Sequence, residues 1–231
     1  MLSLLGSAVN VLAIITGSFI GLFWRNINEN MKTTIIQGLS ITVIVLGMDM
    51  AMESKRLIIV VISIAFGAML GEKWQIEEKM NHFGVWLETK TGAKEGGVAA
   101  AFVTATLVYV VGAVGIVGAL DSGLRGDHTL LFTKSLIDGI FSIFLTSTLG
   151  IGIIFSALPV FLFQGSITLF AAQIDRFIPP EMMAQFIAQI TGVGGIMIIA
   201  IGIRLLGIVN IRVANMLPAI PIIMLLVFIL Y

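Results

Sequence analysis

Cysteine is absent from the 231 residues, which excludes disulfides, thiolate metal sites and cysteine nucleophiles together. Histidine is scarce as well. His82 and His128 are too few for a transition-metal cluster, so neither a metal nor a cofactor is expected. Charge is low, at 11% of residues against roughly 25% in soluble domains. Thirteen basic and thirteen acidic side chains cancel, which removes the electrostatic basis for binding nucleic acid. Enzyme signatures are missing too: there is no H-E-x-x-H, no G-x-S-x-G, no phosphate-binding loop and no D-x-x-x-D pair suited to a lipid transferase. The chain does not read as an enzyme.

What is there is apolar. Hydrophobic residues make up 58% of the chain, and its mean hydropathy is +1.09. A water-soluble fold of this size would leave large apolar patches exposed, so the partner of most of this surface is the lipid bilayer. Crossing a hydrocarbon core of about 30 Å takes roughly 20 apolar residues as a helix. Backbone groups in lipid must bond within their own segment, and the alternation of a membrane barrel is absent. The fold class is therefore all-α, a single integral membrane domain over residues 1–231. Eight spans are predicted, at about 4–24, 34–52, 56–72, 97–120, 130–151, 153–175, 184–208 and 213–231. The N-terminal stretch MLSLLGSAVNVLAIITGSFIGLFW lacks a charged leader region and an A-x-A cleavage site, and reads as the first span, not a removable signal. Residues 129–174 are interrupted only by GIG (150–152) and Ser156-Ala157-Leu158-Pro159. Proline removes an amide donor, so a hairpin or broken helix belongs there. A re-entrant segment would leave seven full spans.

Residues 72–96 form the main polar segment. Ile76, Met80, Phe83 and Leu87 make an apolar stripe opposite the charges, and Trp74 and Trp86 suit a helix lying in the membrane interface. A cytoplasmic linker helix packed on its own protein fits the same pattern. With eight spans, Arg25, Lys32, Lys73, Lys79, Lys90, Lys94 and Arg212 share one side, against Lys55, Arg56, Arg125 and Arg176 on the other. The positive-inside tendency makes the first side cytoplasmic and puts both termini outside. IQGLSITVIVLGM (36–48) resembles ITGVGGIMIIAIGI (190–203), and upstream lie GSAVNVLAIITG (6–17) and GSITLFAAQIDR (165–176). Matched this way, the copies are inverted, the usual frame of secondary transporters.

Small residues keep helical spacing in several spans. Gly6, Asn10, Ala13, Gly17 and Gly21 share one face, as do Ala101, Ala105, Val108, Gly112, Gly115 and Ala119, while Gly67 and Gly71 repeat the four-residue step. Such faces let helices approach closely in lipid, either within one chain or across a homo-oligomer seam. Between His128 and Asp175 only Lys134 and Asp138 are charged. Four residues apart, they share a helix face and can pair, and Ser142 and Thr146 extend that face. Charge inside a span is costly, usually faces the bundle interior and often marks an ion or proton path. Nearer the surface, Lys134 would snorkel to the headgroups instead. Gln164-Gly165-Ser166, after Pro159, suggests a broken helix exposing backbone donors and acceptors. The candidate ligand-binding residues are thus Asp138, Lys134, Gln164, Asn10, Ser142 and Thr146. Arg204 is expected to snorkel, and DSGLRGDH (121–128) to be a polar entrance or a plain turn.

GSAVNVLAIITGSFIG, GAVGIVGALDSGLRGDHTLLFTKSLIDG, TLGIGIIFSALPVFLFQGSITL and ANMLPA together resemble the YdfK/YqgA-like family of uncharacterised bacterial membrane proteins over essentially the whole chain. The resemblance implies a multi-pass protein of the bacterial inner membrane and assigns no site. The residues themselves point to a secondary transporter or exchanger of a small solute or ion. An ion channel, or a non-transporting assembly or sensor subunit, remains as the alternative.

Overall fold

The long apolar runs are helices. The computed structural model describes residues 2–24, 28–91 and 97–230. Over these the order is α1 (Leu5–Phe23), α2 (Glu29–Met52), α3 (Leu57–Trp74), α4 (Ile76–Thr91), α5 (Val98–Val110), α6 (Ala113–Leu124), α7 (Thr129–Leu149), α8 (Ala157–Leu169), α9 (Ala171–Phe177), α10 (Pro180–Leu205) and α11 (Ala219–Leu230), with no strand. Short 3-10 turns, Ile151–Ser156 and Val213–Met216, lead into α8 and α11. Among the described residues, seven helical segments are long and apolar enough to cross a membrane, counting each of these turns with its helix. The bent pair α5–α6 makes an eighth. Arg25 and Lys94 of the charge bias, and 92–96 of the polar segment, lie outside the described residues, as do the side chains of Leu87 and Lys90.

Packing divides the chain into two compact units, Met1–Lys32 with His82–Ile178, and Thr33–Asn81 with Pro179–Tyr231. The first is built on α1 and α7, which run parallel. Gly6 faces Leu131, Gly17 faces Gly139 and Ser142, and Gly21 faces Ile143 and Thr146, so closely that a side chain on Gly17 would collide with the Gly139 carbonyl. The small-residue face of α1 is spent on this contact.

α5–α6 runs antiparallel to α7 along its whole length. Near one end, Gly152 just beyond α7 faces Val98 and Ala101; Tyr109 meets Ser142; Gly115 covers Lys134; and Gly118 lies on Leu130 and Leu131. At 1.5 Å per residue, the 21 residues of α7 are about 31 Å long. The pair is therefore one broken span, not a re-entrant loop. The small-residue rhythm of 101–119 predicts a straight helix, whereas the structure bends it by 60°. Val111 is extended, and Gly112 has φ 144°, a conformation that L side chains rarely adopt. Side-chain periodicity reports which face meets a neighbour and is silent about a backbone turn between two helices that share it.

The break expected at Gln164-Gly165 lies earlier. Gly150 (φ 88°) ends α7, the 3-10 turn follows, and α8 continues through Pro159 and Gln164. Pro159 is the third residue of α8, where its missing amide has no intrahelical acceptor to lose. α4 is separated from α3 by Gln75 in the left-handed conformation. Phe83 stacks on Trp86, with centroids 5.7 Å apart, and meets Phe102 of α5 at 5.9 Å.

In the second unit α2 and α10 are antiparallel. Gly47 faces Gly195, Gly192 faces Ser54 and Gly202 faces Ser40. α3 and α11 pack through Gly67 on Ala219. Arg204 does not extend to headgroups: its Nη1 donates to Glu77 Oε1 at 2.6 Å and to the Ile211 carbonyl at 3.3 Å. A partner within the fold makes snorkelling unnecessary. Segments 36–48 and 190–203 each lie within one long helix, whereas 6–17 lies in α1 and 165–176 crosses from α8 into α9.

Gly17→Val should destabilise the protein by about 1–3 kcal/mol or more, since the helix pair must separate to admit the side chain. Gly38, in α2 with nothing within 4 Å of its Cβ position, is the contrast. Gly38→Ala should be neutral or stabilising by up to about 1 kcal/mol. Thermal denaturation of purified protein in detergent checks both.

Candidate functional site

α7 starts just after an Asx turn at Asp127. The Thr129 amide donates to Asp127 Oδ1 at 2.9 Å, and Ser122 Oγ lies 2.7 Å from His128 Nδ1. Asp121 pairs with Arg125 at 3.4 Å, so DSGLRGDH is a tied turn. The backbone amide of Thr129 holds the Asp127 carboxyl below the usual carboxylate range; the Thr129 hydroxyl and the charges of His128 and Arg125 act in the same direction.

Four-residue spacing then carries the polar face inward. Asp138 is the tenth of the 21 residues of α7, about 14 Å from its start. This is mid-span, not one turn from the surface. Lys134 Nζ donates to Asp138 Oδ2 at 2.6 Å, and the two residues are 7% and 4% exposed. From α1, Asn10 Nδ2 donates to the same Oδ2 at 3.0 Å and to Gln164 Oε1 of α8 at 3.2 Å. Asn10 and Gln164 are buried. Four of the six candidate residues thus meet in one network drawn from three helices. Ser142, one turn further, shares a 2.8 Å hydrogen bond with the Tyr109 hydroxyl of α5. Thr146 is buried against Gly21 and takes no part in the network.

Two site residues escape a reading of the sequence. Tyr109 is one of only two tyrosines in the chain, and a phenol inside an apolar span is a usable signal. Gly115 stands out in the sequence only as one small residue of the 101–119 packing face, not as part of a site. A Cβ there would lie 3.2 Å from Lys134 Cε and 3.8 Å from Gln164 Nε2, so glycine leaves room for the lysine. Its register with Lys134, and that of Tyr109 with Ser142, set the Gly112 break level with Asp138. Three buried polar atoms of the candidate residues have no hydrogen-bond partner among the described residues: Asn10 Oδ1, Gln164 Nε2 and Thr146 Oγ1.

An ion pair away from water is held by geometry more than by net energy, because desolvation offsets most of the Coulombic gain. Here Oδ2 receives two donors, and the pair as a whole is neutral. Breaking it without a substitute partner is expensive, so any second state of this site needs a proton, an ion or a solute to replace one member.

The second unit holds a separate polar cluster that the sequence did not announce. Glu77 Oε2 accepts from the Ala214 amide at 2.9 Å and Asn215 Oδ1 from the Glu77 amide at 2.8 Å. Asn215 Nδ2 donates to Glu72 Oε2 at 2.6 Å. These bonds tie the α3–α4 corner to the Val213–Met216 turn, beside a cavity of about 240 Å³.

A family model described as protein of unknown function (DUF554) matches residues 5–228. The chain is 34% identical over 231 residues to the uncharacterized membrane protein YdfK of Bacillus subtilis (strain 168), covering 98% of this chain and 96% of that one. It is 25% identical over 221 residues to the uncharacterized protein YqgA of Escherichia coli (strain K12), covering 93% and 92%. No solved structure matches it.

Lys134→Met should cost about 3–5 kcal/mol, because it leaves a buried carboxylate unpaired or forces a proton onto it. The double variant Lys134→Met/Asp138→Leu should recover most of that loss. Additive effects in a double-mutant cycle would show that the pair is not coupled. For Asp127 the lowered carboxyl means that its contribution to stability is complete above the usual carboxylate range. It is lost as pH falls through the lowered value. Asp127→Asn should therefore shrink the fall in melting temperature between neutral and acid pH.

Proposed function

The chain belongs to the DUF554 family of membrane proteins, and from its own buried chemistry we propose that it is a secondary transporter or exchanger of a small solute or ion in the bacterial inner membrane. One observation carries this reading: the Lys134–Asp138 pair lies mid-span, bonded to Asn10 and through it to Gln164, level with the break in α5–α6. Broken helices beside intramembrane charge are the usual furniture of alternating-access sites. Asp138 is the coupling or binding carboxylate and Lys134 its partner. Asn10, Gln164, Ser142 and Thr146 line the cavity when the site opens to water.

Replacing one member of the pair is what would switch the protein between two states, since the ammonium and carboxylate hold α7 in a single arrangement only while both are charged. Inverted halves belong to this proposal as the means of exposing the site to either side. A channel would instead hold one continuous pore, and an assembly or sensor subunit would present α4 to a partner.

Purified protein reconstituted in proteoliposomes should show saturable uptake or counterflow of a small solute. Asp138→Asn should lower it at least tenfold. Flux untouched by Asp138→Asn would remove the assigned site. Step-like single-channel currents would make the protein a channel. Loss of partner capture on deleting α4, with no flux at all, would make it an assembly subunit.

A further inference from the structure

We infer that the site binds a small monovalent carboxylate together with a proton, the proton going to Asp138 and the carboxylate replacing Asp138 as the counter-ion of Lys134. This rests on the transporter reading and adds to it the class of solute and the coupling ion.

The first argument is charge. Between His128 and Asp175 the formal charges are Lys134 and Asp138, and α1 carries none. From α5 the facing titratable group is the Tyr109 phenol, bonded to Ser142; α1 and α8 contribute the neutral amides of Asn10 and Gln164. Asp121 of α6 lies nearer its far end, paired with Arg125. The site therefore sums to zero, and burying a net charge in its place is strongly unfavourable. A cation alone would make it positive and an anion alone negative. An uncharged solute gives Lys134 and Asp138 no reason to part, and a zwitterion, which offers a partner to each, would bind without taking up a proton. A proton taken up with a monovalent carboxylate keeps the sum at zero and frees the ammonium.

The second argument is the hydrogen-bond inventory. Lys134 has three N–H groups, one of them on Asp138. Gln164 Nε2 is a buried donor without a partner, close to the lysine across Gly115. The lysine and Gln164 Nε2 both border the Cβ position of Gly115, and a carboxylate has one oxygen for each. The matching orphan is an acceptor, Asn10 Oδ1. Its amide already touches Asp138 through Nδ2, and turning it presents Oδ1 to the hydroxyl of a protonated Asp138. The proton then has an acceptor in Asn10 Oδ1 and the carboxylate a donor in Gln164 Nε2, while the turn releases Asn10 Nδ2 and Gln164 Oε1 to water or the solute.

A metal ion fits less well. Hard cations need several oxygen ligands, and among the described residues Asp138 is the sole carboxylate here, with an ammonium 2.6 Å from its Oδ2. The step balances simply. One proton passes from water on one side to Asp138 Oδ2, and the hydrogen bond donated by Lys134 Nζ moves from that oxygen to the solute. Release returns the proton to water on the other side. Nothing is oxidised or reduced.

Binding of lactate, pyruvate and gluconate to purified protein tests this, read as thermal stabilisation across pH. One proton bound per carboxylate should weaken apparent affinity about tenfold for each pH unit above the titration of Asp138. Lys134→Gln should abolish binding at every pH. Asp138→Asn, a neutral stand-in for the protonated acid, should bind with the pH dependence gone. Should Asp138→Asn not fold, proton uptake in weak buffer is read on the unmodified protein, and one proton per bound carboxylate is expected. The inference is overturned if none of the three binds, if no proton is taken up, if sodium is required, or if Asp138→Asn keeps the original pH dependence. Binding of the expected pattern without flux in proteoliposomes would leave the inference standing and remove the transporter reading. Saturable flux of an amine or sodium without proton uptake would do the reverse.

Discussion

The first unit depends on how closely α1 and α7 approach. Without side chains at Gly6, Gly17 and Gly21, the backbone of α1 lies directly on the Leu131–Thr146 face of α7. That distance lets the short side chain of Asn10 reach Asp138 at 3.0 Å. In lipid there is no hydrophobic drive to push helices together, so the contact relies on close packing and on hydrogen bonds across the seam. Gly-rich faces and the buried polar network are therefore one feature.

The same closeness explains why the pair survives in an apolar medium. Lys134 and Asp138 would each be intolerable alone there, but Oδ2 takes both the ammonium and the Asn10 amide. The break in α5–α6 adds a second element. Residues on either side of it face Lys134 and Ser142, so its rearrangement would alter what surrounds the charges. A hinge beside a charge pair is a suitable frame for a two-state site. The polar cluster of the second unit is bonded differently. There Glu77 joins Arg204 to the Ala214 amide, pinning a corner, and the groups sit at helix ends where water can share the charge.

Much of this was legible beforehand. Eight apolar runs follow from backbone physics, and their bounds agree with the helices to within several residues. The Lys134-Asp138-Ser142-Thr146 stripe is a consequence of helical spacing alone. Depth was not legible, because it depends on where α7 begins, and that is decided by the Asp127 and Ser122–His128 turn. Gln164-Gly165 looked like a break because glycine after a proline weakens a helix, yet the chain had already turned at Gly150 and the 3-10 segment. At Gly112 the converse held: a regular small-residue rhythm concealed a 60° bend.

What the sequence determined by itself is the class of object and the chemistry it can hold: helices in lipid, small faces for packing, and one cation and one anion at i, i+4. These are local properties, fixed by composition and by the 3.6-residue period. What only the tertiary structure decided is which groups meet. Asn10 and Asp138 are 128 residues apart in the chain, and Asn10 and Gln164 are 154 apart. No periodicity links positions so distant. They are brought together because parallel α1 and α7 can close on glycine, and because α8 packs against α1 beside them.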